Sequence, residues 1–115
     1  MSLQEGDIIW VNLDPAKGTE TKKTRPCLIV SNDNYNRHFN TILVVPISTS
    51  QKYLTEKKFI ESPLFVSIQG DKMHGTALLQ HVRAIDPSLR SDQKRVAKIS
   101  HNEIINIQNI IKQFF

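Results

Sequence analysis

Apolar positions along the chain come in short runs separated by polar, lysine-rich stretches, the rhythm of a small antiparallel sheet. Residues 7–13, Asp-Ile-Ile-Trp-Val-Asn-Leu, are rich in β-branched and aromatic side chains and are bounded by Gly6 and by Asp14-Pro15, so they read as a first strand. A long polar loop, 14–25, follows. It leads into a second strand, 27–32, whose end is marked by Ser31-Asn32-Asp33-Asn34. A polar segment with Arg37 and His38 separates this strand from an apolar run at 41–47. Pro46 cannot donate to a ladder, which predicts an edge or a bulge there, with the hydroxyls of Ser48 and Thr49 emerging at a sheet margin.

Residues 51–58 read as a second basic loop carrying Lys52, Lys57 and Lys58. Pro63 precedes a strand at 64–68, closed by the turn Gln69-Gly70-Asp71-Lys72. After Gly75 the longest extended run, 76–86, alternates a face of Ala77, Leu79, His81, Arg83 and Ile85 with one of Leu78, Gln80, Val82, Ala84 and Asp86. Neither face is wholly apolar, so part of this strand is expected to line a site or an interface. Pro87 ends it, and a polar connector, with a short strand at 96–99, leads to the one helix the pattern predicts. Ser100 and Glu103 make a capping box in front of that helix. Ile104, Ile107, Ile110, Ile111, Phe114 and Phe115 form a single core-facing stripe on it, leaving Ile105 outside. Five or more short strands with one terminal helix predict a mainly β, α+β fold, a strongly curved sheet or partly open barrel with the helix packed on it.

The length of 115 residues predicts one domain, 1–115, large enough to bury a core without a disulfide or metal staple. The single cysteine, Cys27, sits in an apolar run and reads as a core residue of a cytoplasmic protein. There is no positively charged leader before an apolar stretch and no run near the length of a membrane span, so no membrane partner is expected. Fifteen Lys+Arg against eleven Asp+Glu give a net charge of +4, which suits an anionic partner. Lys17, Lys22 and Lys23 share the first loop, and Arg25 ends it, held extended by Pro26 behind it. Simpler readings exist for each: Arg25 pairing with Glu20 or Asp86, Ser48 and Thr49 as turn caps, the lysines solvated. Asp71-x-x-His74 is too thin for a metal site, and no cofactor is expected.

Gly6-Asp7-Ile8-Ile9-Trp10-Val11-Asn12-Leu13-Asp14-Pro15, then Gly18-x-Glu20, then Arg25-Pro26-Cys27-Leu28-Ile29-Val30-Ser31-Asn32-Asp33 resemble the opening of the MazF/PemK family of toxin endoribonucleases. Val44-Val45-Pro46-Ile47-Ser48-Thr49 resembles that family's Pro-x-Thr segment, and Leu78-Leu79-x-x-Val82-Arg83-Ala84-Ile85-Asp86 its later strand. The resemblance covers nearly the whole chain, and the common order and spacing of the motifs make it specific. It implies a partly open SH3-like barrel of the type shared with CcdB gyrase poisons, assembled as a homodimer. It further implies metal-independent, sequence-specific cleavage of single-stranded RNA by the toxin of a type II toxin–antitoxin pair, with a cognate antitoxin that blocks it through an extended, acidic C-terminal segment. The family's catalytic arginine matches Arg25, and its catalytic threonine falls at Ser48, with Thr49 beside it. Gln80 and His81 depart from the acidic residue and Gln that many members carry, which leaves the proton-transfer scheme open.

Metal-free cleavage can use the substrate's own 2′-OH as nucleophile, leaving a 2′,3′-cyclic phosphate and a 5′-OH. Arg25 suits the phosphorane because its planar fork grips two phosphate oxygens. Ser48 would donate a hydrogen bond to the phosphate, and His81 is the candidate for proton transfer, against the alternative of a strand residue bonded to backbone. Lys17, Thr19, Glu20, Lys22 and Lys23 on the first loop, Lys52, Lys57 and Lys58 on the second, and Gln80 are expected to contact RNA. Two other functions fit the same fold: a non-enzymatic gyrase poison, which would depend on the terminal helix instead of Arg25 and Ser48, and a catalytically silent RNA-binding barrel.

Overall fold

The computed structural model describes residues 3–14 and 23–115. Seven strands form one antiparallel sheet: β1 (Asp7–Asn12), β2 (Thr24–Ile29), β3 (Ile42–Ser48), β4 (Phe65–Gln69), β5 (His74–Leu78), β6 (Arg83–Ile85) and β7 (Arg95–Lys98). Their order is β4-β5-β3-β2-β1-β7, with β6 also paired to β3. The expected curved, partly open antiparallel barrel with a terminal helix is the fold found. β3 is its axis. One side of β3 meets β2, while along the other its first half pairs with β6 (Ile42 with Ile85, Val44 with Arg83) and its second half with β5 (Ile47 with Ala77, Ser48 with Thr76).

Several boundaries differ from the sequence reading, each for a physical reason. β2 starts at Thr24, so Arg25 and Pro26 lie inside the strand, opposite Val11 and Trp10 of β1. Pro46 is not on an edge. It stands opposite Cys27 in the central strand, where β3 changes partner on its other side and the ladder is already interrupted. The run 76–86 is not one strand: β5 gives way to a 3₁₀ turn at Leu79–His81 before β6 begins. Gln80 and His81 therefore sit on a turn, and the strict alternation of faces breaks there.

Helix α1 (Asp33–His38) occupies the polar segment after β2, capped by Asn32, whose side chain accepts from the Tyr35 N–H at 2.8 Å. The second basic loop is instead two helical turns, α2 (Lys52–Thr55) and α3 (Lys57–Ile60). α4 (Pro87–Arg90) begins with Pro87 in the first turn and Asp86 as its cap. The terminal helix α5 (His101–Lys112) carries the expected capping box.

Alternation of side chains along the strands divides the core into two clusters on the two faces of the sheet. Leu28, Val45, Ile47, Ala77 and Leu79 join Ile104 and Ile107 of α5 on one face. Cys27, Ile29, Ile42, Val44, Val11 and Ile85 gather on the other. Burial of Ile104 and Ile107 contributes roughly 1.5–3 kcal/mol each and is what fixes α5 to the sheet. The predicted stripe is shorter than the periodicity implied: Phe114 and Phe115 lie past the last helical turn and are exposed.

Candidate active site

Register brings the candidate residues together. β2 and β3 pair as Ile29–Val44, Leu28–Val45 and Cys27–Pro46, where the ladder ends; Arg25 and Ser48 each lie two residues beyond that last pair, on the same side of it. Ser48 in turn pairs with Thr76 of β5, and Thr76 with Ser67 of β4. Directly opposed residues share a face, so Ser48, Thr76 and Ser67 make a polar row across three strands, and alternation from Cys27 puts Arg25 of β2 on that same face. It lies on the same face as Cys27 and Val44, beyond the end of their apolar cluster.

Arg25 is half-buried. Ser48 is only 8 % exposed and Thr76 2 %. The Ser48 hydroxyl accepts from the Ser50 N–H at 3.2 Å. That bond uses a lone pair of Oγ and leaves the O–H to donate to a ligand. Far from emerging at a free margin, Ser48 is buried and paired with Thr76 of β5, whereas Thr49, just past the end of β3, is exposed. β5 reaches Ser48 through Gly75: a Cβ there would stand 2.5 Å from Ile47 Cγ2 and 2.9 Å from the Ser48 carbonyl oxygen. Glycine is thus what allows this approach.

Cys27, two residues from Arg25 on the same face, is fully buried, and burial pushes its thiol up to about 12. The Arg83 and Arg25 guanidinium groups partly oppose that shift. Cys27 is therefore a neutral core thiol and not a nucleophile near neutral pH. Arg83, paired with Val44, is a second cation on this face that the sequence reading did not select; its Nη1 donates to the Leu13 carbonyl at 3.2 Å. Arg90 of α4 donates to the Asn12 and Asp14 carbonyls at 3.0 and 2.8 Å. Two arginines thus grip the end of β1. Asp14 closes the same point by accepting from Lys23 N–H at 2.9 Å, and Leu13 N–H donates to the Lys23 carbonyl at 3.1 Å. Lys23 itself has φ of 72°, a left-handed conformation rare for a residue with a side chain.

The other candidates are distributed around this row. Lys17, Thr19, Glu20 and Lys22 lie outside the described residues. Lys52, Lys57 and Lys58 are exposed on α2 and α3, Lys57 within 3.7 Å of Glu61. Gln80 is exposed and His81 half-buried in the 3₁₀ turn, between the stretches of chain that pair with the two halves of β3. Asp86, the other partner considered for Arg25, caps α4 through Ser88 N–H at 3.0 Å. No three His, Cys, Asp or Glu residues stand together as metal ligands among the described residues, and no helix among them is long and apolar enough to cross a membrane. Thr76 and Ser67 escaped the sequence reading because only strand register puts them in line with Ser48.

Comparison with known proteins adds a family. A family model described as PemK-like, MazF-like toxin of type II toxin–antitoxin system matches residues 4–115. Endoribonuclease toxin MazF of Escherichia coli strain K12 is 33% identical over 90 residues, covering 78% of this chain and 74% of that protein. Endoribonuclease PemK of Escherichia coli is 30% identical over 107 residues, covering 90% of this chain and 77% of its own. Among solved structures, MazF from Deinococcus radiodurans superposes with a TM-score of 0.78 at 19% identity, covering 99% of this chain and 96% of that one. A mycobacterial endoribonuclease in complex with its cognate antitoxin does so with a TM-score of 0.71 at 16% identity, covering 99% and 98%.

Proposed function

Because the chain belongs to the PemK-like, MazF-like toxin family of type II toxin–antitoxin systems, we propose that it is an endoribonuclease toxin that cuts single-stranded RNA, mRNA included, at short recognition sequences. The cleavage draws on no metal. The substrate 2′-OH attacks the adjacent phosphorus, the P–O5′ bond breaks, and the products are a 2′,3′-cyclic phosphate and a 5′-OH end. What supports this reading is that Arg25 and Ser48 both lie two residues past the Cys27–Pro46 pair that ends the β2–β3 ladder, on one face of the sheet. A guanidinium and a hydroxyl donor on one face can hold a phosphate between them and stabilise the charge that develops on its oxygens.

Arg25 is assigned to charge stabilisation, since a guanidinium is not deprotonated in proteins. Ser48 supplies the second donor, with Thr49 as its exposed neighbour. His81 is the candidate for proton transfer, because imidazole titrates in the neutral range. The first-loop residues Lys17, Thr19, Glu20, Lys22 and Lys23, together with Lys52, Lys57, Lys58 and Gln80, would track the RNA. We propose also that the chain acts as one domain in the cytoplasm, as a homodimer, and that an antitoxin with an acidic segment competes with RNA for the same ground. Exposed Ile105, Phe114 and Phe115 on and after α5 offer apolar surface for such contacts.

The deciding experiment is cleavage of a long single-stranded RNA in EDTA, beside Arg25→Ala, with product ends mapped. Discrete cuts that survive chelation, carry 5′-OH ends and vanish in the variant are expected. Intact RNA with folded wild-type protein would overturn the reading, and a gyrase supercoiling assay would then separate a gyrase poison from a silent RNA binder.

A further inference from the structure

The segment between β3 and β4 builds an aromatic group outside both core clusters. Tyr53 of α2, Phe59 of α3 and Phe65 of β4 are each half-buried. Tyr53 and Phe65 stack with centroids 5.3 Å apart and planes 19° apart, while Phe59 meets both rings edge-on at 4.8 and 4.7 Å. Two ammonium groups rest against the rings: Lys52 Nζ is 5.1 Å from the Tyr53 centroid and 5.9 Å from that of Phe59, and Lys58 Nζ is 5.0 Å from Phe59. Neither of these lysines has a carboxylate within ion-pair distance among the described residues, unlike Lys57 with Glu61.

The cluster is continuous with the polar row. Phe65 lies two residues from Ser67 on β4 and so shares its face. Ser67 opposes Thr76, which opposes Ser48. Strand spacing and rise put Phe65 about 12 Å from Ser48 on the same face of the sheet, two strands over on the side away from β2.

We infer that Tyr53, Phe59 and Phe65, rimmed by Lys52 and Lys58, form a base-stacking subsite for a nucleotide flanking the scissile phosphate of single-stranded RNA. The inference rests on the cleavage reading above and adds the place where a neighbouring base is held. Aromatic faces accept any base through its π-face, while ammonium groups at their rim meet the phosphates on either side. A cation held over a ring by the quadrupole, with no acid to anchor it, is free to swing to a phosphate as the base arrives. An acidic peptide would satisfy the lysines but would make no use of the half-exposed aromatic surface, so RNA is the better match.

The test is equilibrium binding of a short RNA spanning a mapped cut site, with 2′-deoxy at the scissile nucleotide to block attack; if no cut site is found, a short random-sequence RNA serves. Wild type is compared with the double variant Tyr53→Leu, Phe59→Leu, which keeps apolar bulk at both positions. Expected are a Kd about tenfold weaker in the variant and, on cleavable RNA, a KM raised by a similar factor with kcat little changed. An abasic nucleotide scanned through the flanking positions should weaken binding to wild type about tenfold at one of them, and binding to the variant no further. The abasic arm on wild type alone cannot be mimicked by a folding defect. Equal Kd values for the two proteins, or no flanking position sensitive to base removal, would overturn the inference. So would a variant that keeps its RNA affinity and loses affinity for an acidic peptide, which would assign the surface to a protein partner. Wild type that binds RNA without cutting the all-ribose form would overturn the cleavage reading only, since the binding arms still decide the subsite.

Discussion

Arg25 of β2 and Ser48 of β3, 23 positions apart in the chain, each lie two residues beyond Cys27–Pro46, the last pair of the β2–β3 ladder, on the face that carries Cys27. Both are carried on strands and not on loops. If the pair stabilises a pentavalent phosphate, Arg25→Ala should lower kcat by about 10²–10³-fold or more and Ser48→Ala by about a hundredfold, with the double variant little worse than Arg25→Ala alone. Arg25→Lys keeps the charge but loses the fork and should recover only part of the activity. Single-turnover cleavage rates on one RNA substrate check all four proteins.

Gly75 should be as sensitive as the pair itself. A methyl group there meets Ile47 and the Ser48 carbonyl with no flexible side-chain end to move aside. Gly75→Ala is expected to cost about 1–3 kcal/mol and to lower activity by shifting Ser48. Denaturant midpoints and cleavage rates measured together decide this; an unperturbed midpoint would show that β5 does not press on Ser48 as described.

Cys27 gives a pH signature. Its thiol is pushed up to about 12 from an ordinary 9.0, chiefly by burial, so the folded state holds the proton more tightly than the unfolded chain. The stabilisation is complete below the unfolded value and is lost as pH rises from about 9 towards 12. The unfolding free energy of wild type relative to Cys27→Ala should accordingly fall by about 1.4 kcal/mol per pH unit across that window. Urea titrations of both proteins at fixed alkaline pH values test this, and a constant difference would refute it.

His81 should leave its mark on the pH dependence of cleavage, not on binding. A limb of the kcat/KM profile in the neutral range is expected for wild type and should flatten in His81→Gln, with RNA affinity kept within about twofold. An unchanged profile would leave His81 with a backbone-bonding role in its 3₁₀ turn.

Arg90 ties α4 to the end of β1 through two carbonyls. Arg90→Ala should cost about 1–2 kcal/mol, because Asn12 and Asp14 lose charge-assisted bonds. Both bonds leave from Nη1, so Arg90→Lys, which keeps a cationic donor, should recover part of the loss. Thermal unfolding of the three proteins is the measurement.

Much of this architecture is written locally. Local runs named five of the seven strands to within a few residues and merged the other two, β5 and β6, into one, because strand propensity and turn residues act over short stretches. Ser100 and Glu103 announced α5 correctly, since a capping box is a four-residue device. The motif residues around Arg25 and Ser48 were likewise visible as types in order. Helices α1, α2, α3 and α4 were missed because four to six residues are too few for a 3.6-residue period to show. The run after Gly75 looked continuous because three residues of 3₁₀ turn, Leu79–His81, carry the same mixture of apolar and polar side chains as a strand facing two environments.

Sequence by itself determined the elements, the terminal helix and the kinds of group available, a guanidinium behind a proline and a hydroxyl after an apolar strand. Tertiary structure decided which of them meet. Glu103 caps its own helix as the local pattern says, yet also accepts from Gln69 N–H at 2.9 Å, a contact made only once α5 docks by β4. Arg25 and Ser48 come to one face of the sheet, Thr76 pairs with Ser48, and Tyr53 stacks on Phe65 for the same reason. Register between distant strands is set by burying two faces of one sheet at once, and that requirement acts across the whole fold, not along neighbouring residues.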